Sequence, residues 1–347
     1  MRHRELLGVE LPIIQAPMAG VQGSALCIAV SNAGGVGSLP CGLLSVDAMR
    51  AELSAIRAGT DKPYGVNFFC HTMPAEDETR EAAWRALLLP YFEELGLPMP
   101  GPATGLRAPF SSEAADVMES FRPPLVSFHF GLPAAPLLHR VKSWGSKILG
   151  CATTVEEAQW LEAHGVDAVI AQGSEAGGHR GMFLSDDLDT QMGTMALLPQ
   201  MLDAVGVPVI AAGGITGPAA VAAAMRMGAA AAQIGTAYLL CSEATTGVFH
   251  RAALTRATVA TALTNLFSGR PARGIVNRLM HDLGPISRAA PEFPLAAGAL
   301  APLRSHAERL GSGDFSPMWC GQNASGCRDI GAAEMTRSLA AEVLQWR

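Results

Sequence analysis

Residues 207–236 read VPVIAAGGITGPAAVAAAMRMGAAAAQIGT, and this stretch decides the fold. It opens on a short apolar run, Val207–Ala212, and closes on another, Ala231–Ile234. Between them Gly217-Pro218 starts an alanine-rich segment that runs to Met227 and stops at Gly228. Proline first and glycine last is how a helix is punctuated. Strand, helix and strand in about 30 residues make one βαβ unit. Both runs are continuously apolar, as strands covered on two faces require.

Outward from this unit the pattern recurs. Further strands are expected at Leu11–Met18, Gly35–Leu39, Tyr64–Phe69, Leu125–Phe130, Lys147–Cys151 and Ala168–Gln172. Thr153-Thr154-Val155-Glu156-Glu157 reads as a helix start, with a threonine cap and acids in the first turn. Eight strand candidates joined by crossovers point to an α/β fold, a (β/α)8 TIM barrel rather than an open sheet. Two segments exceed a minimal barrel. Residues 71–124 mix helix with a loop around Pro98-Met-Pro-Gly-Pro102, and residues 240–325 follow the eighth strand. The expected organisation is therefore a barrel from 1–239 and about 325–347. A mostly helical lobe, about 240–325, would be inserted after the eighth strand.

Composition narrows the function. The 347 residues are 49% hydrophobic and 16% charged, too apolar for a disordered chain. With 25 basic and 31 acidic residues the net charge is −6, which offers no broad cationic face to nucleic acid or anionic lipid. No apolar run of about 18 residues suggests a membrane span, and MRHRELLGVELP lacks the apolar core of a secretory signal. A soluble, cytoplasmic protein is expected. The seven cysteines are scattered, without a C-x-x-C pair or zinc spacing, so reduced thiols are expected and a structural metal is not.

Barrel enzymes carry their chemistry at the carboxyl ends of the strands, and the last two loops often bind phosphate. Gly213-Gly214 follows the seventh candidate strand and Gly235-Thr236 the eighth. Glycine lets amides approach phosphate oxygens, though it also serves plain turns. The densest polar cluster, Gln172-Gly-Ser-Glu-Ala-Gly-Gly-His-Arg-Gly181, follows the sixth strand. His179 there is placed for proton transfer near neutral pH, or is a surface histidine of a mobile loop. Glu175 and Arg180 read as loop-stabilising ion-pair partners, and Gln172 suits a flavin or nucleobase edge. His129 ends the fourth strand on the same face as Ser127, where a histidine is either structural or part of the site. Asn67, inside the third strand, must bond to backbone or ligand, and Gln233 raises the same question. Met18 ends the first strand, where its backbone can reach a planar cofactor. No Gly-x-Ser-x-Gly, strand-end lysine or paired carboxylate appears, so a cofactor is expected to do the chemistry.

These residues resemble the nitronate monooxygenase family (older name 2-nitropropane dioxygenase), FMN-dependent barrels. The resemblance rests on Pro12–Gly20, Gly65–Phe69, Ser127–Pro133, Gln172–Gly181, Ala211–Thr216 and Gln233–Thr236. Ser268-Gly-Arg-Pro-Ala-Arg-Gly-Ile275 and Trp319-Cys-Gly-Gln322 are similar to its class I branch. It implies that Met18, Asn67, Gln172, Gly177, Gly214, Gln233, Ile234, Gly235 and Thr236 contact FMN. It implies that His179 is the catalytic histidine and that His129 lies beside the substrate. It further implies one-electron transfer from an alkyl nitronate such as propionate-3-nitronate to FMN, then reaction with molecular oxygen and loss of nitrogen from carbon. The partners would be a small anionic nitronate and oxygen, the chain a monomer or weak homodimer. One departure stands out: class I pockets tend to carry tyrosines, and this chain has only Tyr64, Tyr91 and Tyr238. The region around Phe249 and His250 would line the pocket differently. Competing expectations are an FMN-dependent NAD(P)H:quinone or enoyl-acyl-carrier-protein reductase on this scaffold, and a non-catalytic FMN or phosphate-binding protein.

Overall fold

The computed structural model describes residues 2–101, 107–256 and 258–345. Eight parallel strands form the barrel: β1 (Ile13–Gln15), β2 (Gly37–Pro40), β3 (Tyr64–Phe69), β4 (Leu125–His129), β5 (Lys147–Ala152), β6 (Ala168–Gln172), β7 (Val209–Ala212) and β8 (Ala231–Ile234). Neighbours pair in chain order from β2 to β8, and β8 pairs with β1 at Ile14↔Gln233. A parallel bridge at Ile14↔Val36 joins β1 to β2 and closes the ring. The fold is a (β/α)8 barrel.

Side-chain alternation sorts the strands into two faces. Outward residues such as Ile13, Val66, Phe128, Val169 and Ile234 pack under the helices in the main apolar core. Inward residues Ile14, Val36, Leu125, Leu149, Ile170 and Ile210 fill the barrel floor, with Leu7 and Val9 added from before β1. Two residues further on along the same faces come Ser38, Asn67, Ser127, Cys151, Gln172 and Gln233. The switch from apolar floor to polar mouth is therefore written into most strands, while Ala16 and Ala212 keep the ends of β1 and β7 small.

Prolines trim the strand ends. β1 is confined between Pro12 and Pro17, and β7 begins after Pro208, because proline cannot donate to the ladder. The helix Val155–Ala163 starts where expected, with the Thr154 hydroxyl accepting from Glu157 N at 3.2 Å. The helix Pro218–Arg226 likewise fills the crossover from β7 to β8, ahead of Gly228 at φ +109°. The helix that completes the β8 unit is Ala332–Leu344, which packs on Ser24–Asn32 and Pro218–Arg226. Tyr238 just after β8 ties to it through Thr336, hydroxyl to hydroxyl at 2.9 Å.

The excursion between β8 and that helix carries the helices Val248–Leu254, Arg278–Leu283 and Ala296–Arg309. It is not helical throughout. Thr261–Thr264 and Ala272–Ile275 form an antiparallel pair, and Gly178–His179 from the loop after β6 joins it as a third strand. The short run Ala272-Arg-Gly-Ile275 has no alternation to announce a strand; partners distant in sequence make it one. Helix Glu78–Glu94, from the long β3–β4 connection, packs with Ala296–Arg309. Its Trp84, Leu88 and Phe92 share a second apolar core with Leu266, Leu279 and Leu303.

Candidate active site

A cavity at the carboxyl ends of the strands encloses about 1620 Å3, part of it open to solvent. Met18, Asn67, His129, Gln172, Gly177, His179, Gly214, Gln233, Gly235 and Thr236 all line it. Ile234 does not. Its side chain faces outward into the main core, so only its backbone is near, and its carbonyl accepts from Ala16 N at 2.8 Å. Among the described residues no aspartate or glutamate lines the cavity, whereas Arg107, Arg304, His129, His179 and His250 do.

One wall is backbone. After β7 the chain turns through Gly213 (φ +117°) and Gly214 (φ +71°), a region that L side chains avoid. Among the described residues, the amides of Gly214, Gly235 and Thr236 donate to no protein group. The Thr236 hydroxyl accepts from Gly321 N at 3.0 Å. A Cβ on Gly177 would lie 2.5 Å from Gly321 N. The Trp319–Gln322 motif thus wedges between Thr236 after β8 and the loop after β6, and Gln322 N donates to Glu175 O at 2.9 Å.

The opposite wall is held by side chains. Gln172 donates through Nε2 to His179 O at 3.0 Å and accepts from Gly181 N at 2.8 Å, so the loop uses most of its carboxamide. His129 Nε2 also donates to His179 O, at 3.1 Å. Arg180 is fully buried and fans out to Gln172 O (2.7 Å), Gly173 O (2.6 Å) and Gln191 Oε1 (2.9 Å). The expected Glu175–Arg180 ion pair does not form. Glu175 instead accepts from the Thr194 amide and hydroxyl at 2.8 and 2.9 Å. Both residues stabilise the loop, each through neutral partners, because three donors in a fork match converging carbonyls as well as a carboxylate. Asn67 Nδ2 donates to Ser127 O and Oγ at 3.2 and 2.9 Å, leaving Oδ1 toward the cavity, and Gln233 has no side-chain partner among the described residues.

His179 is not a surface histidine. Its ring sits among Phe69, Phe130, Phe293 and Trp319, with centroids 5.3–6.0 Å away. Its Nε2 lies 2.9 Å from Ser268 Oγ. Burial first, then the cations Arg107 and Arg270 and the neighbouring imidazoles, hold its pKa well below the usual histidine range. Burial brings His129 and His250 down to about 4. These imidazoles are neutral at pH 7. Phe130, at φ +69°, is a strained non-glycine residue whose ring faces the Arg270 guanidinium at 4.1 Å.

Sequence reasoning missed Ser268 as the partner of His179, and missed Arg107, Arg270, Phe293 and Arg304 as part of the site. Ser268 and Arg270 carried a signal only through the Ser268–Ile275 motif, and Arg107, Phe293 and Arg304 lie outside every strand end and motif.

Comparison with known proteins gives this geometry a lineage. The family model described as nitronate monooxygenase matches residues 2–342. The chain is 42% identical to a nitronate monooxygenase of Pseudomonas aeruginosa over 346 residues, covering 99% of both chains. The chain belongs to the nitronate monooxygenase family. A solved nitroalkane oxidase from Streptomyces ansochromogenes superposes at TM-score 0.90 with 37% identity, covering 99% of this chain and 98% of that one. FabK from Thermotoga maritima superposes less closely, at TM-score 0.73 and 25% identity, covering 99% and 96%. The chain is an enzyme, an oxidoreductase of this family. No tyrosine lines its described cavity: Tyr238 bonds Thr336, Tyr91 packs on Phe315 and Tyr64 lies in the main core. Phe69, Arg107, His250, Arg304 and Trp319 line it instead.

Proposed function

We propose that this enzyme oxidises alkyl nitronates with molecular oxygen, using flavin mononucleotide. The observation that carries the reading is a cavity lined, among the described residues, by no acid, by the unengaged amides of Gly214, Gly235 and Thr236 and by the cations Arg107 and Arg304. The amides of Gly214, Gly235 and Thr236 suit a phosphate dianion, and Met18, Asn67 and Gln233 offer contacts to a planar ring. FMN, when bound, supplies one-electron oxidation of the nitronate; oxygen then completes cleavage of nitrogen from carbon.

The protein's own part is to select and hold the anion. Arg107 has no carboxylate partner among the described residues, and Arg304 spends only Nε on Glu308, at 2.9 Å. The unpaired guanidinium of Arg107 and the terminal nitrogens that Arg304 keeps beyond its ion pair with Glu308 favour a small anion. An imidazole held at low pKa is a poor base toward a neutral nitroalkane, so the preformed nitronate is the better substrate. Phe69, Phe293 and Trp319 keep water from the His179 ring.

Anaerobic mixing of the flavin-loaded enzyme with propionate-3-nitronate tests this reading. One-electron bleaching of the flavin spectrum without any nicotinamide, and nitrite on admission of air, are expected. A spectrum that changes only with NAD(P)H supports the reductase reading, and a spectrum unmoved by either supports a binding protein.

A further inference from the structure

We infer that Ser268 fixes which nitrogen of His179 carries the proton, leaving Nδ1 as a bare acceptor facing the cavity. Counting hydrogens decides the direction of these bonds. Ser268 is buried, with Oγ 2.9 Å from His179 Nε2 and 3.3 Å from Arg270 O. A hydroxyl has one proton to give. A carbonyl can only accept, so the arrangement that satisfies all three groups runs from His179 Nε2–H to Ser268 Oγ and from Ser268 O–H to Arg270 O. Reversing it strips Arg270 O of its donor. Among the described residues, Nδ1 of His179 has no protein partner, and the aromatic ring contacts hold the imidazole in place.

The neighbouring histidine follows the same rule. His129 Nε2 faces the His179 carbonyl, so it too must carry the proton on Nε2. Neither imidazole then donates to a bound anion. The division of labour is that guanidiniums donate to the substrate and His179 accepts.

The rest of the Ser268–Ile275 motif builds the support for this arrangement. Arg270 Nη2 donates to Met182 O, Pro271 O accepts from Arg180 N at 2.8 Å, and Ala272 pairs with His179 in the small sheet. Arg273 Nε donates to Ser174 O at 2.8 Å. A stretch about 90 residues downstream thereby orients the histidine, as a second set of groups commonly does for a catalytic imidazole.

The chemical consequence rests on the nitronate reading above. When a neutral nitroalkane is bound, the α-carbon C–H bond breaks, its electron pair passes into the nitro group to give the nitronate, and the proton moves to His179 Nδ1. A preformed nitronate needs no such step. Ser268 is thus a positioning residue that matters for one substrate form and not the other.

Two-bond proton–nitrogen spectra of the flavin-loaded enzyme labelled with 15N-histidine test the tautomer, with His179 assigned by its loss in His179→Asn. The expected result is protonation at Nε2 in the wild type and in Ser268→Thr, and transfer of the proton to Nδ1 in at least part of the Ser268→Ala population. Protonation at Nδ1 in the wild type, or a Ser268→Ala spectrum like the wild type, overturns the inference. In turnover, Ser268→Ala should lower kcat/KM for nitroethane relative to ethyl nitronate by about tenfold or more. Equal loss on both substrates means a merely structural serine and also overturns it. Should neither substrate turn over in the wild type, the nitronate reading fails while the spectra still decide the tautomer.

Discussion

At the ends of β7 and β8 the cavity wall is backbone, whereas across the cavity, after β6, it is a lattice of side chains. The first wall needs only Gly213, Gly214, Gly235 and the neighbouring amides, all local in sequence. The second needs Gln172, His129, Arg180, Ser268 and Pro271 to converge on one loop from three distant segments. A wall of amides tolerates change in side chains and punishes an added Cβ. A wall of side chains behaves the other way, tolerating small backbone adjustments and failing when one partner is lost. The first suits a constant anionic tail, the second a reaction whose protons must be placed.

The largest effect should come from the junction of the two walls. Gly177→Ala puts a methyl 2.5 Å from Gly321 N and 2.6 Å from Cys320 C, both backbone. Bound flavin, read from the absorption spectrum, should be lost, and overpacking of this kind costs about 1–3 kcal/mol, seen as a fall in Tm. Retention of full flavin would mean that the clamp between the walls is not needed.

Next in size, His179→Asn should keep the flavin and lose about 10²–10⁴ in turnover of nitroethane, with a much smaller loss on ethyl nitronate. A variant that drops both equally would deny any difference between the substrate forms. Arg107→Met should raise KM for propionate-3-nitronate by about tenfold with little change in kcat, the sign of lost anion binding. An unchanged KM would move anion selection to Arg304 or elsewhere.

The smallest effect is on stability with pH, and it bears on the side-chain wall, to which His129 and His179 belong. Folding holds His129 and His250 near 4 and His179 well below its usual range, against about 6.5 in the unfolded chain. Between those values the unfolded state binds more protons, so stability rises with pH and is lost as pH falls from about 6.5 toward 4. Each buried histidine steepens the slope by up to about 1.4 kcal/mol per pH unit. Denaturation midpoints measured from pH 7 to pH 5 should fall, and less steeply in His129→Phe.

How much of this the sequence disclosed follows from the same division. The barrel was readable because each strand is a continuous apolar run with its own turn, and Thr154 and Gly228 mark helix ends locally. The glycine turns were readable for the same reason. His179 was visible as a candidate, but its partner Ser268 lies 89 residues away and becomes one only when Ala272–Ile275 pairs with Gly178–His179. Arg180 five residues after Glu175 suggested an ion pair, yet two converging backbone carbonyls and the Gln191 carboxamide took its place. Long-range hydrogen bonds leave no periodicity, so the lobe's hairpin and the histidine's support escaped pattern reading.

The central claim is that free amides beyond β7 and β8 grip a phosphate. Flavin-free protein titrated with FMN and with riboflavin, each followed by flavin fluorescence, tests it most directly. The account predicts binding of FMN tighter by about 100-fold or more, the worth of two charge-assisted hydrogen bonds. Equal affinity for the two flavins would contradict it.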